Sequence, residues 1–401
     1  MTPQDIIDRE NKFLAHNYHP LPVVLTRGDG VWVWDIEGKK YLDFLSAYSA
    51  VSAGHHNPRI LKAMIDQVNK LGVPSRAFYT DILGEFAEKL CAITGMDRVL
   101  PMNTGAEAIE TALKAARRWG YRVKGIAKDQ ARIIVCGGNF HGRTTTIVSF
   151  SSDADYKDGF GPFSGGFDEV PLGDLAALEA AITPNTCAFL LEPIQGEGGI
   201  IIPPEGYLRK AQELCRKHNV LLILDEIQTG MARTGKNFCY QHEIEKPDGL
   251  TLGKALGGGV YPVSAFLARK DVMDVFNPGS HGSTFGGNPI AAAIGIEAIN
   301  LMIEDKYAER SAELGEYLRS RLEALQSPLI REVRGKGLLI GMEIYTDQVS
   351  ARSICESLKE RGLLCKETHE TTIRFAPPLI ITREEIDWAI GEVEAVLKQV
   401  A

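Results

Sequence analysis

The sequence predicts an α/β core of about 240 residues with a smaller α+β region around it. Three observations carry this. Short, continuous apolar runs recur at Ile133–Val135, Ala188–Leu191, Val220–Leu224 and Ala265–Ala268. Such runs suit strands covered on both faces, as in a parallel sheet. Helical stretches lie between several of them, for example Tyr207 to His218, and strand–helix alternation is the signature of α/β layers. After Asn288 the texture changes to long amphipathic helices.

The elements follow in chain order. Val31–Asp35 followed by Glu37–Phe44 reads as a hairpin. Residues 106–119 place Ala106, Ile109, Ala112, Leu113 and Ala116 on one helical face. The four apolar runs then alternate with helix. Beyond residue 288 come long helices, the apolar run around Gly337–Glu343, and more helix and strand. The expected domains are residues 49–288, the larger one, and residues 289–401, the smaller one, with residues 1–48 as an N-terminal segment belonging to the smaller.

Composition narrows the function. Apolar residues make up 44% and charged residues 24% of the 401-residue chain, which suits a folded globular protein and not a disordered one. The net charge is −8, so the chain repels a nucleic-acid backbone. A small anion remains possible where basic residues are focused. Cysteines stand at 91, 136, 187, 215, 239, 355 and 365. The number is odd and no pair has C-x-x-C spacing, so we expect reduced thiols in a cytoplasmic protein and no zinc cluster. The start, Met1-Thr2-Pro3-Gln4-Asp5, lacks a basic leader, and no run approaches the roughly 18 apolar residues of a membrane span.

Five segments could carry chemistry. Leu222-Ile223-Leu224-Asp225-Glu226-Ile227-Gln228 ends an apolar strand in two acids, and open α/β sheets bind ligands beyond the carboxyl ends of their strands. Asp225 then sits at a crevice and needs a cationic partner, or it caps the next turn. In Leu250-Thr251-Leu252-Gly253-Lys254 a lysine follows an apolar segment and precedes glycines. Burial there lowers a lysine's pKa and suits it to condense with an aldehyde. Asn103-Thr104-Gly105-Ala106 opens a helix, and a helix N-terminus accepts an anion. Asn139-Phe140-His141-Gly142-Arg143 offers an aromatic face, an imidazole and a guanidinium. His281-Gly282-Ser283-Thr284 sets hydroxyls among glycines.

Lysine, acid, aromatic face and phosphate-holding helix start are together what pyridoxal phosphate (PLP) requires. Two other motifs compete. Gly230–Lys236 matches G-x-x-x-x-G-K, but Asn237 stands where a P-loop needs Ser or Thr. Gly335–Gly341 precedes an apolar run, whereas a dinucleotide fingerprint follows one.

On these residues the chain resembles the class III, fold-type I PLP aminotransferases from about Asn17 to its C-terminus. The segment Asp225–Gln228 with Lys254 carries the resemblance to the class. Asn17-Tyr18-His19-Pro20, Glu192-Pro193-Ile194-Gln195-Gly196-Glu197 and Arg374-Phe375-Ala376-Pro377 are similar to the ornithine branch. The resemblance implies a mainly parallel sheet of the seven-stranded type and a homodimer or larger homo-oligomer with active sites at the interface. It implies that Lys254 joins the cofactor and then moves the proton, while Asp225 pairs with the ring nitrogen. Gln228 is expected at the phenolic side, Phe140 on the ring face with His141 beside it, and Thr104, Gly105 and Ala106 around the phosphate. Thr284 is expected to reach the phosphate of the neighbouring subunit.

The implied reaction moves the terminal amine of L-ornithine to 2-oxoglutarate, giving glutamate 5-semialdehyde and L-glutamate in two ping-pong half-reactions. By the same resemblance, Arg143 holds the ornithine carboxylate, Tyr18 contacts its α-ammonium and Tyr48 lines the pocket. Arg143 and Arg374 each take one carboxylate of glutamate. Glu197 pairs with Arg374 while ornithine reacts and moves aside for glutamate. An acetylornithine or 4-aminobutyrate aminotransferase is the nearest alternative, and a P-loop NTPase a remote one.

Overall fold

A computed structural model describes residues 1–347 and 349–400. Gln348 and Ala401, both within the expected smaller domain, lie outside the described residues. Seven strands form the large sheet in the order Arg98–Met102, Ser264–Ala268, Gly249–Leu252, Leu221–Asp225, Thr186–Leu191, Arg132–Cys136 and Phe167–Val170. The last five pair in parallel. Ser264–Ala268 runs antiparallel to both of its neighbours. Its apolar run is covered on both faces as expected, but it is not a parallel strand. Continuous burial reports coverage and is blind to direction. The chain between Gly249–Leu252 and Ser264–Ala268 holds only a short 3-10 turn, too little for the crossover that a parallel pair needs.

The expected helix spans Gly105–Trp119, with Thr104 and Glu107 forming a reciprocal capping box. Ile109, Ala112, Leu113 and Ala116 are buried on the sheet, while Ala106 is only partly buried and faces the site. Helix Pro289–Glu304 departs from the amphipathic expectation, since Ala291–Ile296 are buried without a break. It packs against Pro58–Lys70, Leu83–Thr94 and the turn Lys254–Gly257. Gly295 makes room there, because a Cβ on it would lie 2.4 Å from the Phe86 ring. Tyr307–Glu323 is amphipathic, with Leu314, Leu318 and Leu322 inward.

The N-terminal hairpin forms as read, Trp32–Asp35 against Lys40–Asp43. Lys40–Asp43 also pairs in parallel with Leu363–Leu364, which ties the start of the chain to its C-terminal part. A second sheet joins Ile330–Lys336, Leu339–Ile344, Thr372–Phe375 and Lys366–Thr368. The two competing glycine motifs are absorbed here. Gly335–Gly341 is the hairpin between the first two of these strands, and Gly230–Lys236 folds into consecutive turns followed only by the short 3-10 turn Cys239–His242, not by the α-helix a P-loop opens.

Candidate active site

Four strands of the large sheet deliver residues to one place. Asp225 is the last residue of its strand. Lys254 follows the neighbouring strand Gly249–Leu252 and heads a 3-10 turn. Glu192 follows Thr186–Leu191, and Gly105 opens the helix after Arg98–Met102. They line a cavity of about 220 Å³ together with Ala106, Phe140, His141 and Gln228.

The electrostatics of this cavity are set by burial. Asp225 Oδ2 lies 2.7 Å from His141 Nδ1. Its Oδ1 accepts from the Ile227 amide at 3.0 Å and from the Thr251 hydroxyl at 3.2 Å. Burial lowers the His141 pKa, but the hydrogen bond and charge of Asp225 outweigh it and raise the value overall. His141 Nε2 is buried without a partner. Glu192 accepts from the amides of Phe140 (3.0 Å) and Gly196 (3.2 Å), and burial pushes its pKa up to about 7. Burial also lowers the pKa of Lys254, opposed by the charges of Glu197 and Asp225.

These residues fit PLP. At one end the Gly105 and Ala106 amides begin a helix and have no acceptor among the described residues, the usual cradle for a phosphate. At the other end stands the Asp225 carboxylate. Between them Lys254 makes no ion pair among the described residues. Gln228 can take its place in the cavity wall because Gly196 lacks a side chain, whose Cβ would fall 1.5 Å from Gln228 Oε1. Thr104 is exposed, its hydroxyl accepting from the Glu107 amide at 3.2 Å. It lines an adjoining cavity with Ala47 and Lys254.

The second arginine lies beside this cavity. Arg374, 1% exposed, donates from Nη1 to Glu197 Oε1 at 2.7 Å, and its guanidinium lies 4.7 Å from the Tyr48 ring centroid. Burial raises the Glu197 pKa, but the charges of Arg374 and Lys254 hold it below the usual value. Tyr48 rides on a turn, Ser46–Ser49, in which all four residues have positive φ. Each such non-glycine residue costs about 1–2 kcal/mol, so the turn needs outside support. Asp43 accepts from the Leu45 and Ser46 amides. The Ser46 hydroxyl donates to Ala376 O at 2.6 Å. Fully buried Arg233 donates to Ser46 Oγ, Ser52 Oγ, Leu338 O and Pro377 O, and burial pushes its pKa down to about 9.

The remaining expected residues lie further out. Arg143 sits with its guanidinium 3.8 Å from the Tyr156 centroid and 5.6 Å from that of Phe140. It shares a cavity of about 250 Å³ with Tyr18, Asp155 and Tyr156. Tyr18 is 78% exposed, on a segment that Arg352 holds through the carbonyls of His19 and Pro20. Thr284 is exposed on its loop and lines none of these cavities. Glu192, Asp155 and Tyr156 received no role from the sequence. Glu192 carries the same signal as Asp225, an acid ending a buried apolar run. The turn around Asp155 carries no comparable signal.

Comparison with known proteins agrees with this geometry. Residues 13–397 match the family described as aminotransferase class-III. An ornithine aminotransferase from Brevibacillus brevis is 59% identical over 392 residues, 98% of either chain. A crystal structure of the ornithine aminotransferase from Toxoplasma gondii, with PLP partially occupying its active site, superimposes with a TM-score of 0.97. It is 45% identical and covers 100% of this chain and 95% of that one. An acetylornithine aminotransferase from Elizabethkingia anophelis gives a TM-score of 0.91 at 49% identity, with both chains fully covered. The seven-stranded sheet and the full-length match leave one assignment: this chain belongs to the class-III aminotransferases.

Proposed function

We propose that the protein is a PLP-dependent ornithine aminotransferase, moving the terminal amine of L-ornithine to 2-oxoglutarate. The observation that carries this reading is the Glu197–Arg374 pair beside Lys254. It neutralises the arginine nearest the reacting lysine, so an ω-amine can enter without an α-carboxylate beside it. Relatives named ornithine aminotransferase support the same choice.

When bound, PLP supplies an aldehyde that condenses with amines and a protonated ring that takes up the electron pair left when a carbon loses its proton. The residues divide the remaining work. Lys254 would hold the cofactor, and its lowered pKa favours the neutral amine that can take and return a proton. Asp225 would keep the ring nitrogen protonated, with His141 fixing the orientation of its carboxylate. Gly105 and Ala106, with Thr104 capping their helix, would bind the phosphate. Gln228 would face the phenolic oxygen, and Phe140 would cover the ring. Arg143 would hold the distal carboxylate of ornithine, Tyr18 would contact its α-ammonium and Tyr48 would line the pocket. Once Glu197 releases Arg374, the two arginines would take the two carboxylates of glutamate bidentately.

We read the chain as a homodimer or larger assembly in which Thr284 serves the partner's phosphate, since in its own chain it lies apart from the cavity. A cytoplasmic location and the division at residues 48 and 288 belong to the same reading. The experiment is product analysis with ornithine and 2-oxoglutarate, with Lys254→Ala as the inactive control. Faster consumption of N-acetylornithine or 4-aminobutyrate than of ornithine would overturn it.

A further inference from the structure

We propose that Asp155 accepts the α-ammonium of the amino donor and so makes a free α-amine part of donor recognition. This rests on the ornithine reading above and deepens it. Asp155 lines the cavity that holds Arg143 and Tyr18. It also lines a second cavity, with Phe140, Tyr156 and Glu197, and Phe140 in turn borders the cavity of Lys254. A donor whose terminal amine reaches Lys254 along this route leaves its α-carbon among Arg143, Tyr156 and Asp155.

The head group of an amino acid is a carboxylate and an ammonium on one carbon, so its recognition needs a cation and an anion side by side. Arg143 is the cation. Its guanidinium stacks on Tyr156 and makes no ion pair among the described residues, which leaves its fork free for a carboxylate. Asp155 is the one carboxylate among the residues lining the Arg143 cavity. Of the other acids of the second cavity, Glu197 is committed to Arg374, Asp153 accepts from the Asp155 amide at 2.9 Å, and Glu370 does not line the cavity of Arg143. The Asp155 carboxylate has no ion pair among the described residues.

Its position is fixed by a short turn in which Ala154 O accepts from the amides of Lys157 and Asp158, both at 3.0 Å. The nearest lysine in sequence, Lys157, is engaged elsewhere. Its Nζ lies 3.4 Å from Ser149 O and 5.3 Å from the Phe163 centroid. The Tyr18 hydroxyl can also accept a hydrogen bond, but it carries no charge. Acylating the donor nitrogen removes its positive charge and leaves Asp155 without a partner. An unmatched charge opposite a polar group is a recognised device of selectivity.

The test uses the PLP-loaded enzyme and two variants, Asp155→Asn and Asp155→Glu. Three donors are compared by kcat/KM: L-ornithine, 5-aminopentanoate, which keeps the terminal amine and carboxylate but has no α-amine, and N-acetylornithine. Asp155 is exposed, so water competes for its charge; in Asp155→Asn the ratio for ornithine over 5-aminopentanoate should fall about two- to fivefold, mainly through the KM of ornithine, as expected for an ion pair open to solvent. Asp155→Glu should restore part of the ratio. An unchanged ratio, or an equal fall for both donors, overturns the role of Asp155 while leaving a wild-type preference for ornithine intact. Faster wild-type turnover of N-acetylornithine than of ornithine overturns the ornithine reading and this proposal together.

Discussion

Replacing Glu197 by alanine should turn the enzyme toward α-amines. Arg374 is buried, and its charge is met by one carboxylate at 2.7 Å and by the face of Tyr48. Leaving a fully buried charge unpaired costs about 3–5 kcal/mol. The Glu197 side chain is 25% exposed and the aromatic contact survives, so the lower range for a charged hydrogen bond, about 1.5–3 kcal/mol, is appropriate. In the variant this cost is relieved when a substrate carboxylate binds Arg374, as with glutamate. It persists when ornithine presents its terminal amine. The ratio of kcat/KM for glutamate over that for ornithine should therefore rise about 10- to 150-fold. The assay is single-turnover kinetics of each half-reaction, followed by the absorbance of the bound cofactor. A ratio that stays constant would refute the switch, and a fall would show that Glu197 aids glutamate binding instead of competing with it.

Other expectations follow from packing and burial. Gly196→Ala places a Cβ on Gln228 Oε1 and must displace that side chain, so kcat/KM should fall by an order of magnitude or more while the circular dichroism spectrum is kept. Arg233→Met leaves four acceptors unmet around the strained turn of Tyr48. It should cost about 1–3 kcal/mol for each buried acceptor left without a donor, read as a lowered urea midpoint, and should raise KM for both substrates. Glu226 is buried against the amides of Cys239 and Tyr240, and burial pushes its pKa from 4.5 up to about 7. Between those values the folded chain binds more protons than the unfolded one, so this group's contribution to stability declines as pH rises through that window and is level above it. The decline is at most about 3 kcal/mol. Comparing urea midpoints of wild type and Glu226→Gln at pH 5 and pH 8 checks it, since the variant should show a shallower loss.

What the sequence revealed depended on the kind of signal each residue carries. Asp225 and Lys254 were legible because each follows an apolar run, and strand ends of an open sheet mark the crevice. Glu192 obeys the same rule at the end of a run that is buried throughout, so its place at the crevice was equally legible. The direction of Ser264–Ala268 was not legible, because an apolar pattern is the same read either way. Nor was the left-handed turn at Ser46–Ser49. Positive φ is usually flagged by glycine, and this turn has none. Its conformation is imposed by nearby Asp43 together with Arg233 and Ala376, two remote partners that no local window contains. Asp155 sits in a short polar turn without periodicity, and only the folded chain sets it across from Arg143.

The site must accept a donor carrying net positive charge and an acceptor carrying two negative charges, and its carboxylates are unequal to that task. Asp225 is held by an imidazole, an amide and a hydroxyl. Glu192 is held by two amides, and burial pushes its pKa up to about 7. Neither can change partner without leaving buried donors unmet, which costs about 1–3 kcal/mol for each one. Glu197 differs. Its carbonyl is fixed by the Thr368 hydroxyl, while its carboxylate is held chiefly by Arg374. The arginine's own strand pairs on both sides, with Leu339–Ile344 and with Lys366–Thr368, and is not free to follow. On the proposed reading, exchange of substrates would need only rotation of one side chain about a fixed backbone, with Arg374 staying in place to receive the arriving carboxylate.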